Sequence, residues 1–338
     1  MISLFTYEPV RNFRTEKNIM LQRIPNFSHI ESKTFARFVA AVVLALSLGC
    51  SFGPLFAQQS GQRTFTSPED AGSALFAALK TQDGQAPSSI LGPAAKEVLS
   101  SGDPGEDADA RESFVVKYEE MHRFVKEPSG TVTLVIGAEN WPFPIPLANN
   151  HGSWFFDTDA GKDEILFRRT GRNELAAMEA CRQLVEAQRQ YFTRPLGKLS
   201  GQFAQKLVSD KGRHNGLYWY GAYNEFDSPI DPLIAYAHEE DAKDRASDSL
   251  PFDGYFFRIL TSQGPHALGG AKNYIIDGKM TGGVAFVAFP AEYRSSGVMT
   301  FIVDESGTIY EKDLGPDTTK LAQGMTAYDP DSTWHKAD

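Results

Sequence analysis

The sequence predicts an α+β protein with two globular parts, because the spacing of its apolar residues changes along the chain. From Ser67 to residue 124 apolar residues recur at helical spacing, and glycine-bounded runs rich in β-branched residues follow. A second helical segment over residues 173–192 precedes several short strand-like runs. This order of helices, sheet, helix and sheet is typical of two successive α+β units.

Composition supports a folded, acidic protein. The 338 residues suffice for two domains, and 41% hydrophobic with 22% charged residues is close to the globular average. An aromatic content of 12% favours sheets. The net charge is −10 overall, and residues 1–57 carry +3, so the remainder carries −13. Because such a surface repels phosphate backbones, we do not expect nucleic acid as a partner.

Residues 1–57 have the features of an export signal. Lys33 and Arg37 form a basic flank before the apolar run 38–48, in which Ser47 is the one polar residue. This run is too short to span a bilayer, and a small-residue cleavage site ending at Ala57 follows it. A buried core helix is the alternative interpretation. We therefore expect a periplasmic or secreted protein with no transmembrane span in the mature chain.

Two details of this segment stay open. Ser47-Leu48-Gly49-Cys50 resembles a bacterial lipobox, so a lipoprotein anchored at Cys50 is an alternative to a free protein, although Ser47 replaces the usual aliphatic residue. Residues 1–30 fit neither a signal nor a domain, which indicates an over-extended N-terminus with Met20 as one later start. Cleavage after Ala57 leaves Cys181 as the one cysteine, without a disulfide partner.

The first part is predicted as helices followed by a curved sheet. Ser67 caps a helix that starts at Pro68. The helical segments expected after it are a short helix over 93–99 and a helix over 111–124, with a loop over 101–110 between them. Strands are expected over 130–137, 152–157 and 164–169, and an extended run over 143–147. This order resembles the cone-shaped fold of nuclear transport factor 2 (NTF2). The resemblance implies an NTF2-like domain over residues 65–171.

The second part begins with an amphipathic helix whose apolar stripe holds Leu175, Met178, Cys181, Leu184, Val185, Gln188 and Tyr191. Expected strands follow over 254–260, 272–276, 283–289, 298–303 and 308–312, with a hairpin turn at 304–307. The helix, Ile230-Asp231-Pro232 and the phrases GYFFRIL and AFVAFPAEYRSSGVMTFIVDESGTIY resemble the soluble headgroup of type IV pilins and pseudopilins. The resemblance implies a pilin-headgroup-like domain over residues 172–335. Arg168, Arg169 and Arg172 replace the apolar helix half of a pilin, so pilin-type polymerisation is not expected.

The whole mature chain also resembles a family of exported bacterial proteins, domain of unknown function 2950. The phrases that carry the resemblance are WFFDTDAGKDEILFRRTGRNELAAMEACRQLVEAQRQY, GYFFRILTSQGP, GGAKNYIIDGKMTGGVAFVAFPAEYRSSGVMTF and YEKDLGPDT. They span most of residues 65–335. The resemblance implies export and supplies no activity, substrate or catalytic residue.

No motif commits the chain to a metal, a cofactor or a reaction. The run 157–164 is rich in acids, but an EF-hand needs Gly and Glu where Lys162 and Arg168 stand, so a tight turn is favoured over an irregular calcium site. His238-Glu239-Glu240 does not complete a zinc-protease helix, because Ala242 takes the place of the second histidine. We expect no metal and no cofactor.

Two groups of residues are candidate sites. A hypothetical ligand pocket in the cone is formed by Tyr118, His122, Trp141, Trp154, Phe156 and Arg168. An ordinary filled core is the favoured alternative. A hypothetical partner surface in the second part is formed by Tyr255, Arg258, Tyr293 and Arg294, since Tyr and Arg are enriched at binding hot spots. Solvent-facing strand positions explain this second group equally well.

The function expected from the sequence is a non-enzymatic envelope protein that binds a partner or assists assembly. Export, two modules that often serve binding and the lack of a catalytic motif favour it. A small-ligand carrier or enzyme that uses the cone pocket is the alternative. The partner is accordingly an envelope protein or a small ligand.

Overall fold

The computed structural model describes residues 59–81, 86–99, 104–194, 201–219, 228–237 and 250–337. The predicted export signal, the lipobox-like segment at Cys50 and the His238-Glu239-Glu240 run lie outside these residues. The fold is α+β, as predicted. The chain divides between Ile165 and Leu166 into two compact units, which are described separately below.

Among the described residues of the first unit, four helices precede an antiparallel sheet. The helices are α1 (Pro68–Lys80), α2 (Ala86–Leu91), α3 (Ala95–Leu99) and α4 (Pro104–Glu120). The strands are β1 (His122–Lys126), β2 (Val132–Ile136), β3 (Trp141–Pro142), β4 (Leu147–Asn150) and β5 (Ser153–Phe156). They are ordered β1-β2-β4-β5, and β3 pairs with β2. The predicted cap is confirmed, since Ser67 Oγ accepts a hydrogen bond from the Asp70 amide at 3.0 Å.

The predicted loop over residues 101–110 is wrong from Pro104 onwards, because α4 begins there. Proline is favoured at the first helical position, where no amide donor is needed, and acidic residues follow in the first turn. The sequence therefore contains the signals of a helix start at Pro104. The same stretch also contains small and acidic residues, which are typical of a loop.

The predicted turn at 157–161 and the strand over 164–169 are also wrong, because helix α5 runs from Thr158 to Thr193. Asp157 Oδ1 accepts a hydrogen bond from the Ala160 amide at 3.1 Å, so the acidic run serves as a helix start. Gly161 permits the close approach of Ile145, whose Cγ1 would lie 2.5 Å from a Cβ at position 161. The arginine-rich segment after it continues the helix.

The second unit packs the later part of α5 with antiparallel sheets. Its elements in chain order are α6 (Pro232–Tyr236), β6 (Tyr255–Leu260), β7 (Ser262–Gln263), β8 (Lys272–Asn273), β9 (Ile275–Ile276), β10 (Lys279–Met280), β11 (Ala285–Pro290), β12 (Met299–Asp304), β13 (Ile309–Asp313), α7 (Thr318–Gly324), β14 (Ala327–Tyr328) and β15 (His335–Lys336). The main sheet has the order β15-β13-β12-β11-β6. Every residue of β11, which lies between β12 and β6, is buried.

Smaller pairings complete this unit. Strands β14, β7 and β8 form a three-stranded sheet, and β9 pairs with β10. The predicted hairpin between β12 and β13 is confirmed, with the Gly307 amide donating to the Asp304 carbonyl at 3.0 Å and Gly307 at φ +83°. Glycine is required at this position because its backbone is left-handed.

The stripe predicted for the long helix is confirmed except at its first position. Met178, Cys181, Leu184, Val185, Gln188 and Tyr191 are all buried. Leu175 is 50% exposed, and the neighbouring Glu174 is only 6% exposed. A buried carboxylate therefore stands beside the first position of the predicted stripe, and this carboxylate positions the candidate site described next.

Candidate functional site

Three of the residues predicted for the cone pocket lie together in the apolar core of the first unit. Tyr118 of α4, Trp141 of β3 and Phe156 of β5 are all buried. The Phe143 ring lies between them, with its centroid 6.2 Å from that of Trp141 and 6.0 Å from that of Phe156. Burial raises the pKa of the Tyr118 hydroxyl, and the nearby Ser73 side chain partly offsets this effect.

The other predicted pocket residues occupy different positions. Trp154 is partly buried at the edge of this core, and its backbone pairs with Phe65 through two hydrogen bonds of 2.8 Å. His122 is exposed and stacks on Tyr118 with 4.0 Å between ring centroids. Its Nδ1 lies 2.9 Å from the Tyr118 carbonyl oxygen, so Nδ1 carries the proton of the neutral ring. Arg168 belongs to the second unit, where it is half-buried on α5.

Two of the residues predicted for the partner surface have structural contacts instead of open exposure. Tyr255 is fully buried, and its hydroxyl donates to the Met299 carbonyl at 2.9 Å. Burial, followed by the charge of Glu174, raises the pKa of Tyr255 well above its usual value. Arg258 donates to the Ala322 carbonyl at 2.9 Å and also to the Gln323 carbonyl, at the C-terminal end of α7. A cation at a helix C-terminus is favourable.

Tyr293 and Arg294 lie in a compact loop between β11 and β12, which we call the 291–298 loop. The Arg294 amide donates to the Gly297 carbonyl at 2.7 Å, and the Ser296 amide donates to the Glu292 carbonyl at 2.9 Å. Arg294 is exposed and has a left-handed backbone with φ +63°. This conformation is unfavourable for a residue with a long side chain, so the surrounding contacts must impose it.

The two side chains at the tip of this loop are held together. The Tyr293 hydroxyl donates to Asp313 Oδ2 at 3.2 Å. The Arg294 guanidinium lies 5.5 Å from the centroid of the Tyr293 ring, within the range of a cation–π contact. The loop therefore presents an aromatic ring and a positive charge with restricted freedom, which reduces the entropy lost when they bind.

Three side chains within residues 169–174 of α5 bind the backbone of this loop and of the strand start after it. Arg169 Nη2 donates to the Ser295 carbonyl at 2.7 Å, and Asn173 Nδ2 donates to the Ser296 carbonyl at 2.8 Å. Glu174 Oε1 accepts hydrogen bonds from the amides of Val298 at 2.9 Å and Met299 at 3.0 Å. These contacts fix residues 295–299 by their backbone, independently of the side chains at the loop tip.

Burial perturbs the two charged members of this set. Desolvation raises the pKa of Glu174, while the two amide hydrogen bonds act in the opposite direction and the charges of Glu311 and Asp313 raise it further. Desolvation also lowers the pKa of Arg169, and the carboxylate of Glu292 opposes that shift. Burying the side chains of Glu174 and Arg169 costs solvation free energy, and their hydrogen bonds to the loop compensate for this cost.

Two glycines permit the close approach of the loop to its support. A Cβ at Gly254 would lie 2.7 Å from Ser296 Cβ and 2.8 Å from Asn173 Nδ2. A Cβ at Gly297 would overlap the hydroxyl of Tyr255. Gly297 therefore couples the buried tyrosine of β6 to the position of the loop. Any side chain at residue 297 must displace the loop or the tyrosine.

Sequence reasoning missed Glu174, Asn173 and Arg169 as the residues that position this loop. A signal for Glu174 was present, because it lies four residues before Met178 and seven before Cys181, on the same helical face as the buried stripe. Leu175 was assigned to the stripe because it is apolar. The contacts of Arg169 and Asn173 lie more than 120 residues away in the chain, and no local pattern predicts them.

Within the residues that the structure describes, no group of three or more His, Cys, Asp or Glu side chains is placed to hold a metal ion. Among the same residues, no helix is both long and apolar enough to cross a membrane. Cys181 is fully buried, and desolvation raises the pKa of its thiol to about 12. This thiol is consequently a packing group, since the thiolate is the reactive form.

A comparison with family models assigns the chain to a protein family. The model described as a protein of unknown function (DUF2950) matches residues 62–337, so the chain belongs to this family. Searches of curated proteins and of solved structures gave no match. The matched range contains the whole 291–298 loop and the helix segment that holds it.

Proposed function

We propose that this member of the DUF2950 family is an exported, non-enzymatic envelope protein that binds a protein partner through the 291–298 loop. The observation that carries the proposal is the support of this loop by Arg169, Asn173 and Glu174, three side chains within residues 169–174 of α5. Such a polar support is costly to build inside a protein, because its charged groups lose water. Its effect is to hold the loop backbone in one conformation.

The loop tip has the chemistry of a binding hot spot. Tyr293 offers a partly exposed ring and Arg294 an exposed guanidinium, and these residue types dominate the energetics of many interfaces. The guanidinium prefers a carboxylate with two oxygens on the partner. Because Arg294 keeps a left-handed backbone in an exposed loop, its side chain direction is imposed by the fold. We infer a partner with an acidic group beside an apolar surface.

Export and the finer fold resemblances belong to the same proposal. The charge and apolar pattern of residues 1–57 supports a cleaved signal, with the lipoprotein at Cys50 as the alternative. We propose an NTF2-like domain over residues 65–171, supported by helices that precede an antiparallel sheet, and a pilin-headgroup-like domain over residues 172–335, supported by a long helix followed by an antiparallel sheet.

A small-ligand carrier or enzyme in the cone is the second proposal. The observation that favours it is His122, whose exposed ring stacks on buried Tyr118 while its Nδ1 lies 2.9 Å from the Tyr118 carbonyl oxygen. A titratable group above an aromatic core is one feature of a ligand site. Native mass spectrometry of the protein from its own cells tests this proposal. A retained small mass supports it, and an empty protein opposes it.

Site-specific photo-crosslinking in the native envelope tests the loop. A photoreactive amino acid replaces Glu292, an exposed residue of the loop, so that Tyr293 and Arg294 are retained, and a control protein carries it at Lys279, an exposed residue of the same unit on β10. We expect a discrete crosslinked protein from position 292 and none of that size from position 279. Equal products at both positions, or none at position 292, contradict the proposal.

Arg294→Gly separates binding from folding. Glycine relieves the left-handed backbone strain, so we expect the melting temperature to stay the same or rise while the partner is lost. A variant that keeps the partner shows that Arg294 serves only the structure.

A further inference from the structure

The first unit contains a polar cleft, distinct from the cone and from the 291–298 loop. It lies between residues 60–61, helix α2 and the start of helix α3, and its volume is about 440 Å³. Its lining residues are Ser60, Gly61, Ser88, Ser89, Gly92, Pro93 and Lys96. The Ser89 hydroxyl also donates a hydrogen bond to the Ala86 carbonyl at 2.8 Å. This volume falls within the usual range of small-molecule sites. We call it the Ser/Lys cleft.

The walls of the Ser/Lys cleft are fixed by buried hydrogen bonds. Gln62 Nε2 donates to the Ile90 carbonyl at 3.0 Å and to the Phe156 carbonyl at 2.7 Å. The Arg63 amide donates to the Ser89 carbonyl at 2.9 Å. Gly92 has φ +79°, and a Cβ there would lie 2.8 Å from Gln59 Oε1. The chain before α1 is therefore held close to α2.

The charge of the cleft is opposite to that of the whole protein, which carries −10. Lys96 lines it, and none of its described lining residues is Asp or Glu. The acidic residues nearby have other partners. Glu97 pairs with Lys162 at 2.8 Å, and Asp159 accepts from Gln59 Nε2 at 2.8 Å. The cleft thus combines one ammonium group with several hydroxyls.

We propose that the Ser/Lys cleft binds a small polyhydroxylated anion, of the chemical class of the sugar acids. Serine hydroxyls both donate and accept hydrogen bonds, which suits ligand hydroxyls of either orientation. The lysine ammonium offers three donors to a carboxylate. None of the described lining residues is aromatic, so this part of the cleft offers no ring for a stacked ligand.

Calorimetric titration of the purified full chain with D-glucuronate tests the proposal. D-glucose, which lacks the charge, and acetate, which lacks the hydroxyls, are titrated in parallel. We expect saturable binding of glucuronate that is at least about tenfold tighter than that of either comparison compound. Lys96→Gln is expected to weaken glucuronate binding by about tenfold or more, because the charge-assisted contact is lost.

Lys126→Gln is the matched control, since Lys126 is an exposed lysine of the same unit at the end of β1. It changes the net charge equally and is expected to leave the affinity unaltered. Glucose or acetate binding as tightly as glucuronate overturns the proposal. So does glucuronate binding that is absent, that persists in Lys96→Gln or that falls equally in both variants. None of these outcomes bears on the 291–298 loop, which lies in the other unit.

Discussion

Gln62 in the first unit and Glu174 in the second have the same structural role but use different hydrogen-bonding groups. Each is a buried polar side chain that holds a distant segment by its backbone. Gln62 donates to the carbonyls of Ile90 and Phe156, whereas Glu174 accepts from the amides of Val298 and Met299. The segment decides which group is needed, because a carbonyl needs a donor and an amide needs an acceptor.

The difference determines how each anchor responds to pH. The Gln62 amide has no charge to lose, so its contribution to stability is independent of pH. Glu174 is ionisable, and its burial raises its pKa. The support of the 291–298 loop is consequently sensitive to protonation, and the walls of the Ser/Lys cleft are not.

Replacing Gln62 by Leu gives the largest expected effect and tests the neutral anchor. Leucine has a similar size but cannot donate, so the carbonyls of Ile90 and Phe156 lose their side-chain partner. We expect the free energy of unfolding to fall by about 3 kcal/mol, measured by chemical denaturation. The loss should be the same at pH 5 and pH 8, because no ionisable group is removed.

Gln183→Leu is the control for this substitution. Gln183 is an exposed residue of α5, and its longest-range contact is Glu179 in the preceding turn. We expect a change of less than about 0.5 kcal/mol there. A comparable loss at both positions would mean that the Gln62 hydrogen bonds do not anchor the segment.

Glu174→Gln tests the charged anchor, with a smaller effect that depends on pH. The side-chain oxygen that accepts from Val298 and Met299 is retained, and only the charge is lost. The folded-state pKa of Glu174 is raised above its ordinary value of 4.5. The raised pKa of Glu174 therefore stabilises the folded wild-type protein fully below pH 4.5. This stabilisation is lost as the pH rises through the folded-state pKa. We expect the variant to gain stability relative to wild type over that rise.

Melting temperatures of both proteins, measured from pH 4 to pH 8, check this expectation. The difference between the two curves removes the contribution of the other carboxylates, which titrate in both proteins. A difference that is constant with pH would show that Glu174 has its ordinary pKa when folded, and the desolvation argument would fail.

His266 and Asp329 extend the comparison to an exposed pair, where the smallest effect is expected. Asp329 accepts from the His266 amide at 2.8 Å, and its Oδ2 lies 3.0 Å from His266 Nδ1. This hydrogen bond raises the pKa of His266 above its ordinary 6.5. The pair stabilises the fold below pH 6.5 and loses this contribution as the pH rises through the folded-state pKa.

An NMR titration of the histidine ring protons measures this pKa directly. In Asp329→Asn the His266 midpoint is expected to move down, since the first cause of the shift is removed. Asp331→Asn is the comparison, because Asp331 acts on His266 only as a more distant charge. An equal displacement of the His266 midpoint in the two variants would indicate that nearby negative charge in general, and not the hydrogen bond to Asp329, raises the pKa of His266.

Local signals in the sequence determined the elements whose causes lie within a few residues. Ser67 and Pro68 predict the start of α1, and Asp304 and Gly307 predict the hairpin, because a cap or a turn is formed by neighbouring residues. The apolar stripe from Met178 to Tyr191 likewise predicts the buried face of α5. The α+β class followed from these signals, and the family match rests on the sequence as well.

Tertiary structure alone decided which polar residues are buried and what they hold. Glu174 was passed over in favour of Leu175, since nothing local shows that two amides near residue 298 need an acceptor. Tyr255 was expected at the surface, yet Gly297 and Met299 cover it. At residues 158–169 the Asp157 cap is a local signal, whereas the close approach of Ile145 to Gly161 depends on tertiary packing. The burial of Glu174 and Tyr255 depends on partners remote in sequence, whose positions are fixed only when the chain has folded.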